Sequence, residues 1–517
     1  MSEPWVCFED DHLLAVAKPA GVNTHRADVH AQDGMYEWVQ RQRPSASLAV
    51  LHRLDKATSG VLLFGKSAAA NRSLTAQFEG RSLTKRYELI VERDDQHPVE
   101  LRCRLPVGGA DADTTFAQAA TGDAFQRYVA RPHTGRTHQV RAHAAALGMP
   151  ILGDVDRGGG SSPRLFLHAA ALRVDHPVSG PLDLVADRPT SFDRVLDDAA
   201  ADASLAALVA QEARALLFDP ADTDAYLWID RHHDGLADTR VERLGDVALV
   251  VRNTDDDTPL PAAWLDALHD TLKLRAIYQQ HRPRSGTGGP SRVVSGQATP
   301  RFEVLELGAR YLIDLQASAT STGLFLDQRE TRRQLRSADL ADKTALNAFA
   351  HTGSFSVVTA MAGAETLTLD LSRRYLDWAT ENLRLNDLDP ADHDFVYGDA
   401  LGWLDRFAKK GRTFDVVLVD PPSSSTSRKR GAGRWVVDRD LHDLVTRAAR
   451  VVAPGGMLFA STNLRRMTWP AFLDHIERGL ADAARAGTID PRTLPLDHRS
   501  GPGDPPYLKA AWVTLAD

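Results

Sequence analysis

The sequence predicts a multidomain chain of α+β and α/β class. A mixed antiparallel-sheet domain occupies residues 1–200, a small α/β module 219–310, and a doubly wound α/β domain 311–517. Three observations predict this. At roughly 100–200 residues per domain, 517 residues make two to four domains. The first 200 residues hold many short β-branched runs broken by Gly and Pro, the pattern of antiparallel strands. From residue 311 onward strand and helix patterns alternate, as a parallel sheet with crossover helices requires.

In chain order, Leu13–Val16, Val61–Phe64 and Tyr87–Val91 read as strands of the first domain. The Ala-rich stretch 201–218 reads as a helix that either links domains or lies against one. There AYLWID (225–230) and VALVVRN (247–253) are strands, a helix is expected over Leu265–Ile277, and the Gly/Ser/Arg-rich segment 282–296 is expected to be a loop. In the last region, strands are expected at 345–350, 366–371 and 457–462, and 415–422 is expected to be a strand meeting a loop. Helices are expected at 354–364, 373–387 and about 440–453, the last ended by the turn Pro454-Gly455-Gly456.

Composition excludes several classes. Cys7 and Cys103 are the only cysteines, which rules out a disulfide framework or a cysteine-built metal site. No apolar run approaches 18 residues and no signal-peptide pattern opens the chain, so a soluble, cytoplasmic protein without a membrane partner is expected. The net charge of −8 argues against a polyanionic partner until its distribution is considered. Between Pro181 and Leu260 stand 18 acidic residues against 7 arginines, and the rest of the chain is net +3. Polyanions bind a local basic face, not the whole-chain sum.

The densest motif in the first region is LHRLDKATSG (51–60), a turn with Asp55 set between Arg53 and Lys56. Downstream, PHTGRTHQVRAHAAALGMPILGD (132–154) carries Arg136, His138, Arg141 and His143, and Tyr87 opens the run YELIV. A lone aspartate flanked by bases is ordinarily a solvated ion pair. Here the ordered segments KPAGVNTH (18–25), HRLDKATSG (52–60), KRY (85–87), GRTHQVRAH (135–143), GMPILGD (148–154) and RLFLHA (164–169) resemble the RluA-type RNA pseudouridine synthases. The resemblance covers about residues 5–180. It implies that Asp55 is the aspartate that lets uracil detach, rotate and rejoin through C5, that Tyr87 packs on the target base, and that Arg136 or Arg141 pairs with Asp55. The physical requirements agree. A carboxylate in a water-poor pocket stays ionised only beside a cation, and arginine is always charged and can engage both oxygens. A base reached inside RNA must be flipped out of its stack. No metal or organic cofactor is implied, and His52, His138, His143 and His168 are expected to be structural, not ligands. The segment GDVDRGGGSSPR (153–164) departs from the aromatic turn usual in the family.

In the last region, NAFAHTGSFSV (347–357) is a strand, a turn with Gly353, and a helix. Asp370, Asp399 and Asp420 then stand at three successive strand ends. An acid at such a position accepts ribose hydroxyls, but no glycine trio is present to receive a pyrophosphate. A cofactor with ribose and adenine but no phosphate fits, and S-adenosylmethionine answers that description. The segments TGLFLDQR (322–329), LDLSRRYLDWATENLRLN (369–386), DVVLVDPPSS (415–424) and PGGMLFASTNLRR (454–466) resemble class I methyltransferases of the RlmK/RlmI group, with a Rossmann-like catalytic domain, over about residues 300–517. The module before it is similar to that group's smaller domain. The resemblance implies that Phe349, Thr352 and Gly353 line the methionine end of S-adenosylmethionine. It assigns Asp370, Leu371 and Ser372 to the ribose, Asp399 and Ala400 to the adenine, and Asp420 to the mouth of the site. It places Asp327 and Arg329 over the cofactor.

Forming 5-methylcytosine takes a nucleophilic cysteine, and none follows Cys103. A base nitrogen such as guanine N7 already presents a lone pair, so the resemblance is read toward RlmK and guanine-N7 methylation of large-subunit rRNA. Ser423 and Ser424 stand where the group often has an aromatic, which makes Trp435 the candidate for stacking on a base. Arg428, Lys429, Arg430 and Arg434 are candidate phosphate contacts. The expected function is therefore a bifunctional RNA-modifying enzyme acting on rRNA, with tRNA as the alternative partner for the synthase half. The competing readings are a ribosome-assembly factor with one active domain and methylation of a different base nitrogen.

Overall fold

The computed structural model describes residues 3–197, 203–256, 258–283, 289–316, 321–425, 435–500 and 506–517. The first ten-stranded sheet runs in the order Val6–Glu9, Leu13–Lys18, Ser59–Gly65, Leu167–His176, Thr84–Glu92, Phe125–Pro132, Thr114–Thr121 and Glu100–Cys103. Two further strands, Gly180–Val185 and Ala49–Val50, pair off this path. Its one parallel contact joins Ser59–Gly65 to Leu167–His176; the other pairs are antiparallel. Every residue of Leu13–Lys18 and Ser59–Gly65 is buried, because both faces of this part of the sheet are covered. The motif containing Asp55 is the irregular segment entering Ser59–Gly65, so it sits at the end of a rigid central strand.

The module is a five-stranded sheet in the order Ala225–Asp230, Thr239–Leu244, Val247–Arg252, Ala276–His281, Arg292–Gly296. The helix Ala262–Leu272 crosses between its one parallel pair. A hairpin, Arg301–Glu306 with Ala309–Asp314, follows. The final seven-stranded sheet has the order Asp394–Tyr397, Glu365–Asp370, Thr344–Ala348, Phe414–Val419, Val452–Thr462, Lys509–Leu515, Gly487–Arg492. Its first five strands are parallel and the last two antiparallel. Chain order reverses between Thr344–Ala348 and Phe414–Val419, and the crevice at the carboxyl ends of such strands is where a doubly wound sheet takes its ligand. Among the described residues no helix is long and apolar enough to cross a membrane.

Three local expectations are corrected. The helix expected over Leu265–Ile277 runs instead from Ala262 to Leu272. Lys273 takes a left-handed conformation that ends it, and Ile277 joins a strand paired with Val247–Arg252. Within 282–296, Arg292–Gly296 is an edge strand, because it can close the open side of Ala276–His281. Pro454-Gly455-Gly456 is not a stop before a strand. It lies inside Val452–Thr462, where a register shift opposite Phe414 and Val416 absorbs the extra residues.

The hydrophobic interior ignores the expected boundaries. One cluster packs Leu14, Val16, Leu62 and Phe64 of the first sheet with Trp228, Ile229, Trp264 and Leu268 of the module and with Leu496 from the C-terminal region. A second joins Leu249, Val251 and Tyr278 of the module to Leu326, Phe355, Phe459 and Trp512. Between these clusters lies a buried charge network. Arg214, in the helix Ala203–Ala215, donates to both oxygens of Asp234 at 3.0 and 2.7 Å and to the Asp497 carbonyl at 3.0 Å. Arg329 donates to Glu306 at 3.1 Å, to Asp497 at 2.7 Å and to the Ala225 carbonyl at 3.0 Å. Arg332 donates to Glu306 and to the Phe325 carbonyl. Asp497 also accepts the Leu227 amide at 2.9 Å.

Removing one partner of a buried pair leaves an uncompensated charge, at a cost of about 3–5 kcal/mol. Glu306→Ala strands Arg332, takes from Arg329 one of its two carboxylates, and is expected to lose that much in urea unfolding. Lys343→Ala breaks an exposed pair with Asp415 and is expected to lose less than about 1 kcal/mol. Equal losses would show that the network does not hold the fold.

Candidate active sites

The first site is a cleft of about 800 Å³ formed by the segment 50–55, the helix Ala68–Gly80, the start of Thr84–Glu92 and the segment 132–141. Asp55 lies in it with its side chain 26% exposed. The peptides on either side of it are clamped. Thr24 Oγ1 accepts the Leu54 amide at 3.1 Å and donates to the Leu54 carbonyl at 3.0 Å, and the Lys56 carbonyl accepts the Gly21 amide at 2.8 Å. Arg141 Nη1 stands 3.9 Å from one Asp55 oxygen and His138 Nε2 3.6 Å from the other. Arg141 is held in place by a two-pronged bond to Asp154, at 2.8 and 2.7 Å. The Asp154 side chain is only 1% exposed.

Arg136 turns away and donates to the Asp111 carbonyl at 3.0 Å. Of the two arginines that fit the motif, Arg141 therefore faces Asp55. Tyr87 is half-buried on the cleft wall. Burial, and then the nearby Asp55 charge, push its hydroxyl up to about 12, so it stays neutral. A neutral ring beside Asp55 and Arg141 offers a face for a base and a carboxyl group for its chemistry.

The second site is a cavity of about 360 Å³ at the carboxyl ends of the seven-stranded sheet. Phe349, Asp370, Leu371, Asp399, Ala400, Asp420 and Trp435 line it, as does Asp327. The Asp370 carboxylate accepts the amides of His351 at 2.9 Å and Ser372 at 2.8 Å, while burial raises its pKa. Asp399 caps the helix Ala400–Lys409, accepting the Gly402 amide at 3.0 Å. Asp420 accepts Ser461 Oγ at 2.6 Å and Gln328 Nε2 at 3.2 Å. Burial pushes its pKa up to about 6, with the Asp327 charge adding to the rise and the Ser461 hydrogen bond opposing it. The Trp435 and Phe349 rings are 6.2 Å apart and 34° from parallel, and Trp435 Nε1 donates to the Pro422 carbonyl at 3.1 Å. Two acids over separate strand ends, with apolar walls, fit a nucleoside-type cofactor: Asp370 to accept ribose hydroxyls, and Leu371, Ala400 and Leu401 to pack on a purine.

Several expected contacts are corrected. Arg329 does not reach this cavity; it is wholly buried and spent on Glu306 and Asp497. The basic group on the cavity wall is Arg332, one helical turn later. Ser372 caps the helix Arg373–Leu385 through the Tyr375 amide at 3.3 Å and does not line the cavity. Thr352, buried, donates to the Gly323 carbonyl. Gly353 has φ +75°, and a Cβ there would lie 2.6 Å from Ala379 Cβ, so a side chain does not fit at this position, which is not among the residues lining the cavity. Arg428, Lys429, Arg430 and Arg434 lie outside the described residues.

His52, His143 and His168 are structural, as expected. His52 accepts the Leu63 amide, His143 bonds Thr114 and Leu105, and His168 bonds Ser59 and Ala186. His138 is not; it faces Asp55. Among the described residues no group of His, Cys, Asp and Glu could hold a metal. Sequence reasoning assigned no role to Asp154, Gln328 or Ser461. The first was visible as the acid of GMPILGD, but nothing in the spacing aimed it at Arg141.

Arg141→Ala removes the only guanidinium within ion-pair reach of Asp55 among the described residues. It is expected to lower tritium release from 5-³H-uridine RNA by more than about 100-fold, as a misplaced reacting group does. Arg136→Ala is expected to cost far less, and the opposite ranking would refute the pairing. At Asp420 the raised pKa means that ionisation costs stability. The advantage of the neutral acid is complete below its ordinary value of 3.8 and is lost as pH rises through about 6. The melting temperature of Asp420→Asn relative to the parent should therefore climb between pH 4.5 and 6.5 and level off above 7. A constant difference would show that Asp420 has no raised pKa.

The family model for RNA pseudouridylate synthase matches residues 12–146, and that for S-adenosylmethionine-dependent methyltransferase matches residues 248–485. "Putative ribosomal RNA large subunit methyltransferase YwbD" of Bacillus subtilis is 30% identical over 300 residues, 56% of this chain and 74% of that protein. "Ribosomal RNA large subunit methyltransferase K/L" of Allochromatium vinosum is 43% identical over 207 residues, 40% of this chain but only 26% of that protein's length. The crystal structure of SMU.776 complexed with SAH shares the fold, with a TM-score of 0.55 and 24% identity, over 65% of this chain and 86% of that one. The chain belongs to the S-adenosylmethionine-dependent methyltransferases of this kind, and carries an RNA pseudouridylate synthase domain in the same polypeptide.

Proposed function

We propose that this chain is a bifunctional RNA-modifying enzyme. Its synthase half isomerises uridine to pseudouridine at Asp55. Its methyltransferase half methylates a base of large-subunit ribosomal RNA, at guanine N7. The parts are a synthase domain over 1–200, an accessory module over 219–310 and a methyltransferase domain over 311–517, acting in the cytoplasm. The observation that carries the reading is the coexistence of two clefts of different chemistry, one built on Asp55 with Arg141 and Tyr87, the other on Asp370, Asp399 and Asp420.

In the first cleft the isomerisation breaks the bond from uracil N1 to C1′ and forms one from C5 to C1′. The C5 proton is lost and N1 gains one. Arg141 faces Asp55 and aims it, and Tyr87 gives the freed uracil a surface to turn against. In the second cleft, bound S-adenosylmethionine supplies an electrophilic methyl group. Asp370 holds the ribose end. Phe349, Pro421, Pro422 and Trp435 form the apolar mouth where a base can lie flat. Cys7 and Cys103 both lie in the first sheet, and neither lines this cavity, which favours a nitrogen over C5 of cytosine as acceptor. Ring-nitrogen methylation needs alignment and exclusion of water, not covalent assistance. Arg428, Lys429, Arg430 and Arg434, which precede Trp435 in the sequence, are the proposed phosphate contacts.

The test is nucleoside mass spectrometry of rRNA from a strain lacking the gene. One pseudouridine and one N7-methylguanosine are expected to disappear. Complementation with Asp55→Ala should restore only the methylation, and with Asp420→Ala only the pseudouridine. A deletion strain that keeps both nucleosides would end the proposal.

A further inference from the structure

We propose that residues 495–500, which belong to the methyltransferase half, are a working part of the synthase half: a strap whose Arg499 and Ser500 are positioning residues for Asp55. The inference rests on the synthase reading of Asp55 given above.

The clamp around Asp55 is the turn 18–24. It holds Leu54 through Thr24 and Lys56 through the Gly21 amide, and the buried Lys18 ammonium donates to the Lys56 carbonyl at 3.3 Å. Lys18 also ties the turn to itself, through the Pro19 and Val22 carbonyls at 2.9 and 2.7 Å. A turn of this kind aims Asp55 only as well as it is itself held. Its outer side rests on the strap. Arg499 Nη2 donates to the Ala20 carbonyl at 3.3 Å. Gly21 has φ +82°, and a Cβ there would stand 2.6 Å from Arg499 Nη1, so the guanidinium lies directly on the turn. Lys56, the residue after Asp55, donates through Nζ to the Ser500 carbonyl at 2.7 Å. Gln32 Nε2 donates to the Pro495 carbonyl at 2.8 Å, and Gln32 Oε1 accepts Ser500 Oγ at 3.0 Å.

The strap is rigid in turn. The Arg499 side chain is 11% exposed and pairs with Asp234 at 3.1 Å, and Asp234 is gripped by Arg214. Leu496 is embedded in the core shared by the first sheet and the module, and Asp497 is bound by Arg329 and Arg214. Neither Arg499, Ser500 nor Lys56 lines the Asp55 cleft. They act through the backbone on each side of Asp55, so they should affect the rate of the bound complex and not RNA affinity.

The experiment uses the full chain and rRNA purified from a strain lacking the gene. Lys56→Met, Arg499→Met and the double variant are compared by single-turnover pseudouridine formation and by filter binding of the RNA. Each single variant is expected to be about tenfold slower with RNA affinity within about twofold. The double variant should be no slower than the slower single, because both cut the same tie. Arg499→Lys should recover part of the rate. Gln32→Leu, which leaves the buried charges intact, should also slow the step and keeps the test valid if Arg499→Met does not fold. Unchanged rates in Lys56→Met and Gln32→Leu, fully multiplicative losses, or losses confined to RNA affinity would overturn the strap. Parent protein that forms no pseudouridine would overturn the synthase reading instead, and the strap with it.

Discussion

Four arginines and three carboxylates, shut away from water, set the geometry on which both sites depend. Arg214, Arg329, Arg332 and Arg499 share Asp234, Glu306 and Asp497, so losing Asp234 or Glu306 takes the paired carboxylate from at least one buried cation. The members come from the linking helix, the module, the hairpin, the helix Arg329–Ser337 and the segment after Gly487–Arg492. Apolar contacts could have held these elements together with a less costly interior. Ion pairs with fixed two-pronged geometry hold them in one register, because a guanidinium fork satisfies its partners in few orientations. Burial lowers the pKa of Arg499 to about 10, still far above neutrality, so the network keeps its charge.

The two clefts use their carboxylates in opposite ways. Asp55 has Arg141 and His138 beside it and lies partly open to solvent. Asp420 has hydroxyl and amide donors and a second acid nearby, conditions that favour the neutral form. The first arrangement suits an acid that must confront a reacting sugar. The second suits one that shapes a mouth and can change charge near neutral pH. The same side chain thus serves two chemistries because its neighbours differ.

Much of this was legible in the sequence, and what was hidden has a common physical origin. The strand–helix alternation after 344 and the acids at strand ends are local signals, and Asp370, Asp399 and Asp420 lie where that spacing placed them. Asp55, Tyr87 and Arg141 also share one cleft. Arg329 was misread because its motif neighbours line the cavity while its own side chain, a hundred degrees further round a helix, points into the interior. Ser372 and Gly353 do not line the cavity, and capping and close packing select the same residue types as ligand contact. The partners of Arg329, Asp497 and Ala225, lie 168 and 104 positions away. No periodicity in a single chain announces such pairs.

The shared cores have a consequence for how this polypeptide can be taken apart. Trp228 and Trp264 face the first sheet, while Leu249 and Tyr278 on the same module face the last one. Two domains tethered by a string would each keep a wetted surface there. Here those surfaces have become interior, so each half is now shaped to its neighbour as a subunit is to its obligate partner. The halves are no longer interchangeable cartridges: a transplanted methyltransferase half would carry an open seam where the synthase had been. Selection on either reaction then acts on the whole chain.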